Sequence, residues 1–121
     1  MISIGTLDID KYSKISPNIL TDEIVLTDNQ LQHILNKRAD TYLKYHDNLL
    51  EIINEPDYIL SESKHADTAL VIKKYENSAI LVLRLATENN EKKNSIITLW
   101  EIKEPRLKRY LSTKKVVYIK E

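Results

Sequence analysis

Hydrophobic positions along this chain recur with two different periods, and the change from one to the other falls near Pro56. Before it, Leu31, Ile34, Leu35, Arg38 and Tyr42 keep the i, i+3, i+4, i+7, i+11 spacing that lays one stripe of a helix on a core. Thr27 and Gln30 fit a capping box, so this helix is predicted to start at Asp28. A second helix, about 47–54, carries Leu49, Leu50, Ile52 and Ile53 and must stop before the proline, which disfavours helical geometry in the residue ahead of it. Beyond Pro56 the stretches DYILS, TALVIKKY, AILVLRLA and SIITLWEI are rich in β-branched and aromatic residues and read as strands. TENNEKKN between the last two reads as an exposed hairpin loop. EPRLKRYLS then predicts a short basic helix with proline in its first turn, and KKVVYIK a final strand. Residues 1–20 have weak periodicity and include SPN, which predicts an extended N-terminal arm, ended by a short strand at EIVL. Helices first and an antiparallel sheet afterwards is the α+β pattern.

At 121 residues the chain fits one domain, 1–121, with the arm over 1–20 and the body over 21–121. No apolar run approaches the roughly 18 to 20 residues that a membrane span needs. The first residues, MISIGTLDID, lack the charged start and apolar stretch of a secretory signal, and there are no cysteines, which together predict a cytoplasmic protein. His33, His46 and His65 stand far apart, so neither a zinc-finger spacing nor a paired-histidine metal site is indicated. No metal or other cofactor is expected.

Eighteen basic residues balance eighteen acidic ones, which excludes a generally basic nucleic-acid binder. The distribution changes that picture. From Lys103 to the end there are seven basic residues against two acidic, a positive C-terminal surface that could meet phosphate or could simply be a solvated face.

Neither a glycine-rich phosphate loop nor a G-x-S-x-G nucleophile elbow is present, so a P-loop nucleotidase and an α/β-hydrolase are set aside. The residues left to carry chemistry are His33, Arg38, His46, His65, Lys73, Lys74, Arg84, Ser95, Thr98 and Trp100. His33 falls roughly 150° from the apolar stripe at about 100° per residue, so it faces water or a groove. Its imidazole has the titration range for general acid or base work, although an exposed helical histidine is commonly nothing more. Lys73 and Arg84 interrupt apolar runs; they either meet an anion or reach solvent from a sheet edge. Ser95 and Thr98, three apart, lie on opposite faces of an ideal strand and can serve one site only if a bulge or the strand end re-aims one of them. Trp100 reads as core in preference to a base-stacking platform.

The stretches IGTLDIDKY, TDEIVLTDNQLQHI, PDYIL, TALVIKKY, LVLRLAT, NSIITLW and RYLSTKKVVYIKE, taken together and in this order, resemble the phage-associated nuclease-like domains grouped with barnase, EndoU, colicin nucleases and RelE toxins, called PBECR domains. The resemblance covers nearly the whole chain and is to the form found at the C-terminus of phage head morphogenesis (minor capsid) proteins. It implies helices packed on a curved antiparallel sheet of about four strands, and metal-independent cleavage of RNA, tRNA included, by attack of the ribose 2′-hydroxyl on the adjacent phosphate. Within it His33 matches the histidine of a Q-H-I helix, Lys73 the strand lysine, and Ser95 and Thr98 an S-I-I-T strand. His33 would then be base or acid, and Lys73 with Arg84 would stabilise charge growing on the phosphate. Ser95 or Thr98 would bond a phosphate oxygen or orient the histidine.

One departure bears on activity. The family pattern follows Q-H-I with three residues and then His-Pro, where this chain has Arg38 and Ala39. Arginine cannot trade protons, but it binds phosphate through paired donors. Two functions therefore remain open: a ribonuclease, or an inactive scaffold of the same fold that binds RNA or a protein such as an inhibitor, a capsid or packaging component, or a host factor.

Overall fold

The structure is a computed structural model and describes residues 1–88 and 92–121. In chain order the strands are β1 (Ile2–Thr6), β2 (Glu23–Leu26), β3 (Tyr58–Ser61), β4 (Thr68–Lys74), β5 (Ser78–Arg84), β6 (Asn94–Ile102) and β7 (Val116–Ile119). The helices are α1 (Asp28–Tyr45), α2 (Leu49–Asn54) and α3 (Glu104–Thr113). The TENNEKKN connection lies partly outside the described residues. Among the described residues no helix is long and apolar enough to cross a membrane.

The α+β class is observed, with a larger and more mixed sheet than expected. Among the described residues seven strands run in the order β1-β2-β6-β5-β4-β3-β7, in place of about four, and β2 pairs with β6 in parallel while every other neighbouring pair is antiparallel. Nor do helices come first: β1, a 3-10 turn at Ile9–Tyr12 and β2 precede α1. β1 escapes sequence reading for a physical reason. It is an edge strand with Ile2 exposed and Ile4 half-buried, and its pairing with β2 slips by a residue between Ser3 and Gly5. Gly5 sits at φ +147, where a Cβ would come within 2.8 Å of the Leu50 side chain, so glycine is required there.

Residues 1–20 are also more firmly held than an arm suggests. Tyr12 is completely buried and its hydroxyl donates to the carbonyl oxygen of Ile53 at 2.6 Å. The side chain of Asn54 accepts from the amide of Asp8 at 2.8 Å and donates to the carbonyl of Thr6 at 2.7 Å. This stretch therefore belongs to the packing around α2.

The sheet is apolar on both faces, which explains why β4 and β5 read as nearly continuous hydrophobic runs. One face, with Val71, Leu81, Leu83, Ile96 and Leu99, carries the larger core beneath Ile34 of α1 and Ile52 and Ile53 of α2. The other, with Leu60, Leu70, Ile72, Ile80 and Ile102, is capped by Leu107 of α3. α1 starts at Asp28 as predicted, with the Thr27 hydroxyl accepting from the amide of Gln30 at 3.2 Å.

Candidate functional site

The β5–β6 ladder contains the irregularity that the Ser95–Thr98 spacing demands. Arg84 faces Ser95 and Leu83 faces Ile96, but Val82 faces Thr98, so Ile97 is an extra residue on β6. A bulge of this kind reverses the alternation once. Ser95, Thr98 and Trp100 consequently stand opposite Arg84, Val82 and Ile80, which share one face of β5, the face that α3 caps.

That face is only partly covered. α3 follows directly on Ile102 and shields the end holding Ile72, Ile80 and Ile102. At the other end the row Thr68, Arg84, Ser95 runs across three strands, with Thr68 and Ser95 buried and Arg84 half-buried. The Ser95 hydroxyl donates to the carbonyl of Lys93 at 3.3 Å.

Arg38 arrives from the side. β2 pairs with β6 only at Asn94 and Ser95, which leaves the later part of β6 free for α1 to pack beside it. Within α1, Arg38 departs from helical geometry (φ −144, ψ 44), and a cleft of about 380 Å³ opens among residues 35–41. From this interruption the Arg38 guanidinium donates to the Thr98 hydroxyl at 3.4 Å and lies 5.6 Å from the centre of the Trp100 ring. Trp100 itself is half-buried and packs against the α3-side core. The interruption occurs without the proline of the His-Pro pattern, since residue 39 is alanine. Ala39→Pro is therefore expected to cost far less than the ~3 kcal/mol of proline inside an unbroken helix, whereas Leu43→Pro, an exposed position beyond the first turn after the interruption, should cost that much; denaturant unfolding of the two variants compares them.

The remaining expected residues divide clearly. His33 is exposed on the turn of α1 before the interruption, and among the described residues no hydrogen bond engages its ring. His46 is tied locally, its Nδ1 lying 2.9 Å from the carbonyl of Leu43, and His65 is an exposed loop residue. Lys73 is not brought to the others. It pairs with Ala79, which belongs to the α1-side core, and the five residues from Ala79 to Arg84 separate it from the Arg84 row by about 17 Å along the sheet. Its ammonium donates to the carbonyl of Glu55 at 2.8 Å. Lys74, on the opposite face, lies over the Tyr58 ring at 5.6 Å.

A second polar cluster, not anticipated from sequence, closes the distant end of β6. Glu101 accepts from Lys44 at 2.7 Å and from the hydroxyl of Tyr45. The Lys44 bond, then the Tyr45 bond, hold the Glu101 carboxyl below its usual range, while burial and the same carboxylate push the Tyr45 phenol up. A carboxyl with a lowered folded pKa stabilises the fold above its unfolded value and loses that contribution as pH falls through the folded one. Stability should therefore fall as pH drops below about 4, and Glu101→Gln should flatten this part of the profile in thermal melts from pH 2 to 6. No sequence signal joins residues 44 and 45 to 101; only the packing of α1 on β6 does.

Among the described residues no three histidine or carboxylate side chains converge as metal ligands do. Cations gather instead on the α3 side: none of the basic residues from Lys103 onward forms an ion pair within the described part of the chain. Such an arrangement of guanidinium groups and hydroxyls on one open face can hold anionic oxygens.

Neither a curated protein nor a solved structure matches this chain. A family model does, over residues 4–119, which takes in every strand but the start of β1 and all three helices. The chain belongs to the family described as phage-Barnase-EndoU-ColicinE5/D-RelE like nuclease 2.

Proposed function

We propose that this protein acts on RNA at the open face of its sheet, with Arg38, Arg84, Ser95 and Thr98 receiving the phosphate and His33 moving the proton in a metal-independent attack by the ribose 2′-hydroxyl. The observation that carries the reading is the bulge at Ile97, which turns both β6 hydroxyls to the face that Arg84 shares, Ser95 opposite Arg84 itself and Thr98 bonded to Arg38. Family membership supports a ribonuclease-type activity. Guanidinium groups and hydroxyls held on rigid elements suit a phosphate whose charge grows in the transition state. The stabilising share expected of Lys73 passes in this reading to the two arginines, because Lys73 lies on the other face and is bonded to Glu55.

The test is incubation of the protein with tRNA and with single-stranded RNA in EDTA, reading fragments and their ends. Cleavage leaving cyclic phosphate, abolished by His33→Ala and retained by Lys73→Ala, is the expected result. Cleavage that survives His33→Ala while Lys73→Ala abolishes it would overturn the site assignment.

A second reading has its own observation. By the resemblance drawn from the sequence, Arg38 stands where the family pattern has a second histidine, and an arginine cannot act as an acid at neutral pH. Tied to Thr98 and Trp100, it suits binding better than turnover. RNA binding without cleavage by the parent, with cleavage gained in Arg38→His, would identify that state.

A further inference from the structure

We infer that the cavity of about 320 Å³ over β2, floored by Val25 and bordered by Ser95, takes a nucleobase of the RNA whose phosphate lies at Arg84 and Ser95. This rests on the functional reading above and adds a base-binding subsite to it.

The register places the cavity. Val25 of β2 is paired with Ser95, and Ser95 with Arg84, so the three form one row across β2, β6 and β5. Alternation along β2 assigns the face: Ile24 and Leu26 belong to the α1-side core, and Val25 between them turns to the α3 side. α3 does not extend over it, because the cluster that α3 caps draws its strand residues from β3 to β7 and none from β1 or β2. Val25 is nonetheless only 2 % exposed, although it belongs to neither core. Its cover comes from the rim of the cavity, where Met1 and Lys93 meet with the ammonium 4.0 Å from the sulfur. Both side chains are long and unbranched, and Met1 is 64 % exposed, so a planar ring can displace them and settle on Val25.

The lining has the two characters that a base needs. Met1, Val25 and the lysine stems supply apolar surface, and Thr27, Lys92 and Lys93 supply donors for ring acceptors. The Thr27 oxygen accepts from the amide of Gln30 at 3.2 Å, which leaves its hydroxyl hydrogen to donate. Lys93 also stands 3.4 Å from the Glu23 carboxylate, which holds its stem at the edge of the cavity. The volume lies at the small end of the range for small-molecule sites, about 300–1,000 Å³. One strand spacing, about 5 Å, separates Ser95 from Val25, a distance that a ribose spans between its phosphate and its base. Two lysines on the rim are complementary to the polyanion that carries the base.

The experiment is an amide chemical-shift titration of the protein with a dinucleoside monophosphate, 2′-deoxy at the attacking position so that it stays whole, with its two singly abasic analogues and with inorganic phosphate. The intact ligand is expected to shift the amides of Val25, Thr27 and Ser95. One of the two analogues should bind about tenfold more weakly and leave Val25 and Thr27 unshifted, a factor that corresponds to about 55 Å² of apolar surface removed from water. Val25→Phe, which fills the cavity from its floor, should bring the intact ligand down to the affinity of the weaker analogue, with phosphate binding unchanged. Equal affinity of the parent for the intact ligand and both analogues, a comparison that requires no variant to fold, would overturn the subsite while leaving the functional reading standing. So would a Val25→Phe variant that binds the intact ligand as tightly as the parent. Failure of every ligand to shift the amides of Arg84 and Ser95 would overturn both.

Discussion

Alanine in place of Arg84 is expected to lower RNA turnover by roughly 10²–10³-fold, the range seen when a donor that meets transition-state charge is removed. Arg84 is half-buried between Thr68 and Ser95, and among the described residues no carboxylate neutralises it. Its charge is therefore available to an incoming anion, and the row beside it provides a hydroxyl. Arg84→Lys keeps the charge but loses the planar pair of donors, so it should recover only part of the loss. Single-turnover cleavage of a labelled RNA distinguishes these variants, and their thermal melts should stay close to the parent because neither change opens a cavity in either core. Should the protein prove to bind without cutting, the same series applies to affinity, and an Arg84→Ala variant that binds RNA as tightly as the parent would remove Arg84 from the site.

Tyr12→Ala is expected to cost about 3–5 kcal/mol, the range for deleting a wholly buried aromatic side chain. For a domain of ordinary stability, about 5–15 kcal/mol, that is a large fraction of the total. The loss has two parts. Tyr12→Phe removes only the hydroxyl and leaves the Ile53 carbonyl unpaired, which should cost about 1–3 kcal/mol. The alanine variant also removes the ring that anchors residues 1–20 to α2, so hydrogen exchange should show β1 opening before the central strands. Urea unfolding monitored through Trp100 fluorescence gives the magnitudes, and an alanine variant within 1 kcal/mol of the parent would mean that Tyr12 does not anchor this segment.

How far the molecule could be read from its sequence depends on whether a feature is local. The start of α1 was legible because the Thr27 cap lies within one turn of the residue whose amide it accepts. β4 and β5 were legible because burial on both faces writes a nearly continuous apolar run, and β3 and β6 because they are rich in β-branched and aromatic residues. β1 was not, since a bulged edge strand is buried too little to leave a pattern. The burial of Tyr12 was equally hidden, because its partner is 41 residues away.

The site divides in the same way. Ser95 and Thr98 could be named and the need for a bulge stated, but the position of the extra residue depends on which partner strand each one meets. Arg38 was recognisable by its place in a family pattern, whereas its bond to Thr98 depends on an interruption of α1 that the sequence, lacking proline there, does not announce. The separation of Lys73 from Arg84 is topological: strand alternation and a register of five residues decide it, and each lysine or arginine viewed alone gives no sign of which face it will occupy.

The bulge at Ile97 has a consequence for how sequences of this kind can change. What aligns the two hydroxyls is the number of residues between them and the arginine's strand, and no particular side chain at position 97 is asked for. Substitution there is a question of packing; insertion or loss of one residue is a question of parity, and would turn Ser95 or Thr98 to the opposite side with every chemical group still present in the chain. Drift by replacement can therefore pass through position 97 so long as the packing allows it, while drift in length is confined to the connections on either side of this strand.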